Sequence, residues 1–142
     1  MDIISKAAFF LDPTEAVKKA INKWSPNECK IEKDYENSLY NFLHEHFDEV
    51  QITKQYGVGR SRADLNVGDK VLIEVKKDLQ SKSQHDRLTG QLEDYRKWKG
   101  SIIILLVGET EPNLKKKLLR YQEEHTDGWS GVPFHLAEKK VV

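Results

Sequence analysis

One cysteine stands among 142 residues. With Cys29 alone, no disulfide closes within the chain and no cysteine-rich zinc site can form. A lone thiol suits a reducing compartment. No apolar run approaches the roughly 18 residues that a membrane span needs. The longest, Ile102 to Val107, has the length of a buried strand. Asp2 follows the first methionine, and no basic segment precedes a long apolar stretch. A secretory signal is therefore not expected, membranes are not an expected partner, and the cytoplasm is the expected location. His44, His46, His85, His125 and His135 lack zinc spacing. Gly57-Val58-Gly59 has no lysine-serine or lysine-threonine at P-loop distance, and no serine lies in a nucleophile-elbow pattern. Internal repeats, low-complexity tracts and linkers are also missing, so one domain spanning 1–142 is expected.

Net charge is absent as well, but its distribution is uneven. Residues 1–50 carry 6 basic and 10 acidic side chains, residues 51–100 carry 11 and 7, and residues 101–142 carry 6 of each. The positive excess lies in the middle of the chain, where a local basic field attracts phosphates without a basic total.

The middle of the chain also carries the pattern of a sheet. Asp12-Pro13-Thr14-Glu15 reads as a helix start, with Ala16, Val17, Ala20, Ile21 and Trp24 at helical spacing behind it. Ser25-Pro26 breaks that helix. A second helix runs from Lys33 to Phe47. Val50 to Thr53 alternates as a half-buried strand does, and Tyr56 to Gly59 reads as a loop or bulged turn. Arg62 to Val67 and Val71 to Lys76 form a hairpin around Gly68-Asp69. The polar stretch Lys77 to Asp86 leads into a helix from Arg87 to Lys99, stopped by Gly100. Ile102 to Val107 is apolar throughout, as a strand covered on both faces should be. Pro112 opens a helix to Glu124 that Thr126-Asp127-Gly128 ends. Pro133 to Ala137 reads as an edge strand. The expected fold is α/β: a mixed sheet flanked by helices.

On the strand Val71 to Lys76, side chains alternate between faces. Ile73 and Val75 share one face; Leu72, Glu74 and Lys76 share the other. A carboxylate and an ammonium thus stand side by side on a strand that otherwise reads as interior, where charge is costly unless paired or bound to metal. Asp64 lies on the preceding strand. It joins Glu74 on one face only if the intervening loop has an odd number of residues or a bulge intervenes. Two carboxylates and a lysine would then converge, a hard-oxygen set suited to Mg²⁺.

Asp64 followed by Glu74-Val75-Lys76 on a hydrophobic strand resembles the PD-(D/E)xK nuclease signature, although Ala63 stands where the motif has proline. Glu36 borders the apolar face of the second helix and resembles the glutamate that the family often places before the sheet. Gln91 and Tyr95 share a helical face and are similar to the glutamine and tyrosine of RecB-like members. The resemblance implies a restriction-endonuclease-like core in the order αβββαβ, with an extra N-terminal helix. It divides the chain into a helical extension (1–30), a catalytic core (31–107) and a C-terminal helix and edge strand (108–142).

The resemblance also implies a Mg²⁺-dependent deoxyribonuclease in which Mn²⁺ substitutes. Asp64, Glu74 and Glu36 would serve the metal, Lys76 the nucleophile or the developing charge, and Gln91 and Tyr95 would support the site. Arg60, Arg62, Lys77 and Arg87 would meet the nucleic-acid backbone. The expected partners are nucleic acid, DNA before RNA, and a second copy or a larger nuclease assembly. Three rivals remain open at this point. One is a Holliday-junction resolvase, which archaeal members resemble in size and acidic order. Another is a catalytically silent nucleic-acid-binding domain of the same fold. The third is an unrelated α/β interaction domain whose charged strand is an edge.

Overall fold

A computed structural model describes residues 1–126 and 132–141. The order is α1 (Ile3–Leu11), α2 (Pro13–Lys23), α3 (Glu32–His46), β1 (Ile52–Val58), β2 (Ser61–Val67), β3 (Val71–Lys77), α4 (Lys82–Asp94), a 3-10 turn (Tyr95–Lys97), β4 (Ser101–Val107), α5 (Pro112–Glu124) and β5 (His135–Lys139). The strands form one mixed sheet in the order β1-β2-β3-β4-β5. β2 runs antiparallel to both of its neighbours, β1 and β3, and β3, β4 and β5 run parallel. The run from α3 to β4 is thus αβββαβ, the order expected.

Alternation on the two central strands decides the layers. Ile73, Val75, Ile103, Leu105 and Val107 pack on the side of α1, α2 and α3, with Phe9, Ile21 and Leu39. Leu72, Ile102, Ile104 and Leu106 pack on the side of α4 and α5, with Leu88, Leu92 and Leu118. Every residue from Ile102 to Val107 is buried, as a strand covered on both faces requires.

Several boundaries differ from the expected ones. There are two N-terminal helices instead of one. Residues 3–11 are nearly continuous in apolar side chains and show no polar face to mark a helix, yet Asp2 caps them by accepting the Ser5 N–H at 2.7 Å. β1 extends through Tyr56 to Val58 because β2 pairs with it to its end, Val58 opposite Ser61. The turn needs only Gly59, at φ +62°, and Arg60. α4 starts five residues early, at Lys82, because Ser81 and Gln84 form a capping box. It gives way at Tyr95 to the 3-10 turn, so Gly100 does not stop it. β5 lies two residues later than expected, where it pairs with Ile103 to Val107. In the expected stop of α5, Asp127 and Gly128 lie outside the described residues.

Gly100 has a different task. It leads into β4 under the β2–β3 turn, where the Ser101 N–H donates to the Lys70 carbonyl at 3.0 Å. A Cβ on Gly100 would lie 2.1 Å from that carbonyl oxygen. Gly100→Ala is therefore expected to destabilise the fold by about 1–3 kcal/mol through overpacking against backbone. A lower urea midpoint with an unchanged slope would show it.

Candidate active site

The β2–β3 turn contains three residues, Gly68, Asp69 and Lys70, and the first two have positive φ. Asn66 locks it, donating to the Asp69 carboxylate at 2.8 Å and accepting the Asp69 N–H at 3.1 Å. The odd loop sets Leu65 opposite Ile73 and Val67 opposite Val71. Asp64 and Glu74 consequently fall on one line across the pair. Backbone pairing between the strands ends at Leu65 and Ile73. One step beyond, the Val75 N–H donates to Asp64 Oδ2 at 2.7 Å. A side-chain carboxylate occupies the place of a ladder carbonyl.

The β1–β2 ribbon changes sides at the same point. Ile52 and Leu65 face the α1–α3 layer, whereas Tyr56 and Ala63 face the α4–α5 layer. Alternation alone would keep Ile52 with Tyr56, and Leu65 with Ala63, on one face. Gln55, opposite Asp64, absorbs the reversal at φ +54°. Its amide donates to Glu36 Oε1 at 2.7 Å and to Asp64 Oδ1 at 3.4 Å. Glu36 is buried on α3 and also accepts from Lys33 at 3.0 Å.

Glu74 is 2% exposed. Its Oε2 accepts the Tyr95 hydroxyl at 2.8 Å, and its Oε1 lies 3.4 Å from the Lys76 ammonium. Lys76 opens on a cleft of about 90 Å³, with Glu32, Gln84 and Arg87 among its lining residues. Glu32 on α3 closes the other side by accepting the Lys77 N–H at 2.8 Å.

Burial raises the proton affinity of both carboxyls. Asp64 is pushed up to about 8, first by desolvation and then by the Glu74 charge, against the Val75 N–H. Desolvation also raises Glu74, opposed by Lys76 and the Tyr95 hydroxyl. Glu74 thus has two groups that favour its charge, whereas at Asp64 burial and the Glu74 charge outweigh the Val75 N–H. Burial and the Glu74 charge hold Tyr95 firmly protonated, as a hydrogen-bond donor.

Of the residues singled out in the sequence, Glu36, Asp64, Glu74, Lys76 and Tyr95 are brought together. Gln91 is not joined to them: its Oε1 is buried without a hydrogen-bond partner among the described residues. Arg60 and Arg62 are exposed at the tip of the β1–β2 hairpin. That tip is tied to α4 by the Ser61 hydroxyl donating to Asp94 at 2.5 Å. Lys77 pairs with Asp78 at 2.5 Å, and Arg87 stands exposed at the cleft. The four basic residues therefore form two groups and not one patch. Gln55 and Glu32 escaped the sequence reading. Gln55 sits at an exposed position between the strand and the turn read from the sequence, and Glu32 sits among first-turn acids.

Among the described residues, no group of three or more His, Cys, Asp or Glu is arranged to hold an ion. The Gln55 amide lies between Glu36 and Asp64, which leaves Asp64 and Glu74 as a two-carboxylate set. Such a set fits Mg²⁺, which keeps several waters and takes one or two carboxylates beside substrate phosphates.

No protein-family model matches the chain, and no curated protein matches it. Among solved structures, the chain is similar to Pyrococcus furiosus SfsA in complex with Ca²⁺ at 12% identity and a TM-score of 0.48. The match covers 77% of this chain and 58% of that one. A likeness this distant carries no conclusion about the site.

The raised Asp64 sets a pH dependence. A carboxyl bound more tightly to its proton in the folded state stabilises the fold fully below its unfolded value near 4. That contribution is lost as pH rises through about 8. Without divalent cation, Asp64→Asn should stabilise the protein relative to wild type by roughly 1–3 kcal/mol at pH 8 and by much less at pH 4. The carboxamide oxygen still accepts the Val75 N–H. Thermal melts in EDTA across this range test it, and an equal difference at both ends would refute the buried-charge account.

Proposed function

We propose that this chain is a metal-dependent nuclease that hydrolyses phosphodiester bonds, with DNA as its substrate. The reading rests on the buried Asp64–Glu74 pair beside Lys76. Two carboxyls withdrawn from water, one driven to hold a proton, form a site whose charge a divalent cation would balance.

Asp64 and Glu74 would hold Mg²⁺, or Mn²⁺ in its place; when bound, it supplies an acidified water and neutralises phosphoryl charge. The Val75 N–H fixes one oxygen of Asp64 and the Tyr95 hydroxyl fixes one oxygen of Glu74, so each carboxylate has a set direction. Lys76 stands beside Glu74 and opens to the cleft, where its ammonium would meet charge developing on the phosphodiester. Glu36 reaches Asp64 only through Gln55, which makes it a positioning residue in this arrangement. Arg87 on the cleft, with Arg60 and Arg62 at the hairpin tip, would contact backbone phosphates without reading sequence. Lys77 contributes less, because Asp78 neutralises it. Of the glutamine and tyrosine that carry the RecB-like resemblance, Tyr95 hydrogen-bonds Glu74 while Gln91 does not join the site, so the resolvase-like reading stands beside the RecB-like one.

Labelled linear, circular, single-stranded and branched DNA should be incubated with Mg²⁺, Mn²⁺ or EDTA. Cleavage is expected with either metal and not with EDTA; preference for branched substrate would favour the resolvase. Asp64→Asn and Glu74→Gln should abolish both cleavage and the rise in Tm on adding Mg²⁺. Lys76→Ala should lower the rate about 100-fold or more and keep the rise in Tm, because an ammonium is no metal ligand. DNA binding without cleavage under every metal condition would identify a silent binding domain.

A further inference from the structure

Helix α1 turns its apolar side outward. Successive residues advance about 100° around a helix. Ile3, Ile4, Ala7, Ala8, Phe10 and Leu11 therefore share one face, and none of them is charged. Ile3, Ile4 and Leu11 are each more than four-fifths exposed, and Phe10 is more than half exposed. The single buried residue of the helix, Phe9, points the other way and packs on Phe47 at 5.3 Å between ring centres. Lys6 lies off the stripe and pairs with Glu49 at 3.0 Å. A helix of a globular protein normally buries such a stripe. Four large apolar side chains at these exposures present on the order of 600 Å², the upper end of what a monomer shows.

The order of side chains along the stripe indicates what covers it. Large residues stand at both ends, Ile3 and Ile4 at one and Phe10 and Leu11 at the other, with Ala7 at the middle. Turned end for end about Ala7, the stripe sets Ile3 opposite Leu11 and Ile4 opposite Phe10. The alanines at the crossing let two helices approach closely. A two-fold contact requires such a self-complementary surface. Antiparallel pairing also sets each helix N-terminus beside a C-terminus, a favourable arrangement of dipoles.

The charges argue against an anionic membrane surface, which attracts Lys and Arg. Asp2, Asp12, Asp48 and Glu49 surround the helix, and its one lysine is already paired. Mutual burial of two stripes removes about 1,000 Å² in total, the lower bound for a specific interface. The association it supports is concentration-dependent.

We propose that α1 is a homodimerisation helix, pairing antiparallel with α1 of a second copy about a two-fold axis at Ala7. This inference is independent of the nuclease reading.

Sedimentation velocity over a concentration series tests it. The wild type is expected to pass from monomer to dimer as concentration rises. Ala7→Glu should weaken that association at least about 100-fold, since it buries two unpaired carboxylates. Its circular dichroism and Tm as a dilute monomer should not change, because Ala7 is exposed in the single copy. In a Cys29→Ser background, oxidised Ala7→Cys should give an interchain disulfide, and Ser5→Cys, on another face, should not. A monomer at every concentration, a dimer that survives Ala7→Glu, or equal cross-linking at both positions would overturn the proposal. So would flotation of the wild type with phosphatidylcholine–phosphatidylglycerol vesicles that Ala7→Glu abolishes, which would assign the stripe to lipid.

Discussion

Where the β2–β3 ladder ends, the Val75 N–H donates to the carboxylate of Asp64 instead of to a backbone carbonyl. A buried N–H left without a partner is costly, so this hydrogen bond is required for the strands to diverge there. It also commits a carboxylate to the interior. The other features of the site follow from that commitment. Asp64 is desolvated, Glu74 lies close enough to raise its proton affinity, and β1 answers with the strained Gln55 whose amide takes up part of the negative charge. Weakening this one contact would release both the strand geometry and the electrostatics.

The site draws on both sides of the sheet. α3 supplies Glu36 and Glu32 from one layer, and the 3-10 turn after α4 supplies Tyr95 from the other. β3 carries the charges between them. It lies third in a five-stranded sheet, hydrogen-bonded to β2 and β4. The alternative in which the charged strand is an edge is therefore excluded for this chain. Glu74 sits in the interior, and what it offers beyond its neighbours is charge.

Period and residue type made most of this architecture legible. The two-residue alternation of Val71 to Lys76 separated Glu74 and Lys76 from the core face, and the unbroken apolar run at Ile102 to Val107 marked a covered strand. Features set by tertiary contacts were harder to read. Whether Asp64 shares a face with Glu74 depends on a three-residue turn locked by Asn66 and Asp69, and dipeptide signals at Gly68-Asp69 do not count its residues. Gln55 shows no pattern because its role comes from an irregular backbone angle opposite Asp64. The start of α4 was signalled by Ser81 and Gln84, but the polar side chains around them read as loop. Spacing placed Gln91 and Tyr95 on one helical face, yet the helix tightens to 3-10 at Tyr95. The tyrosine alone reaches Glu74.

Local consistency is what lets a sequence specify one fold, and breaches of it tend to mark function. This chain breaches it in two places of opposite chemistry. At Asp64 and Glu74, charge lies where apolar side chains belong. On α1, apolar side chains lie where charge belongs. Each arrangement is unfavourable by itself: the first withdraws carboxylates from water, and the second leaves apolar side chains in it. The two are linked through the sheet, because Phe9 anchors α1 against Gly68, where a Cβ would come within 3.0 Å of its ring, and Gly68 belongs to the turn that sets Asp64 opposite Glu74. The helix that presents the apolar stripe thus rests, through Gly68, on the turn that brings the two carboxylates into line.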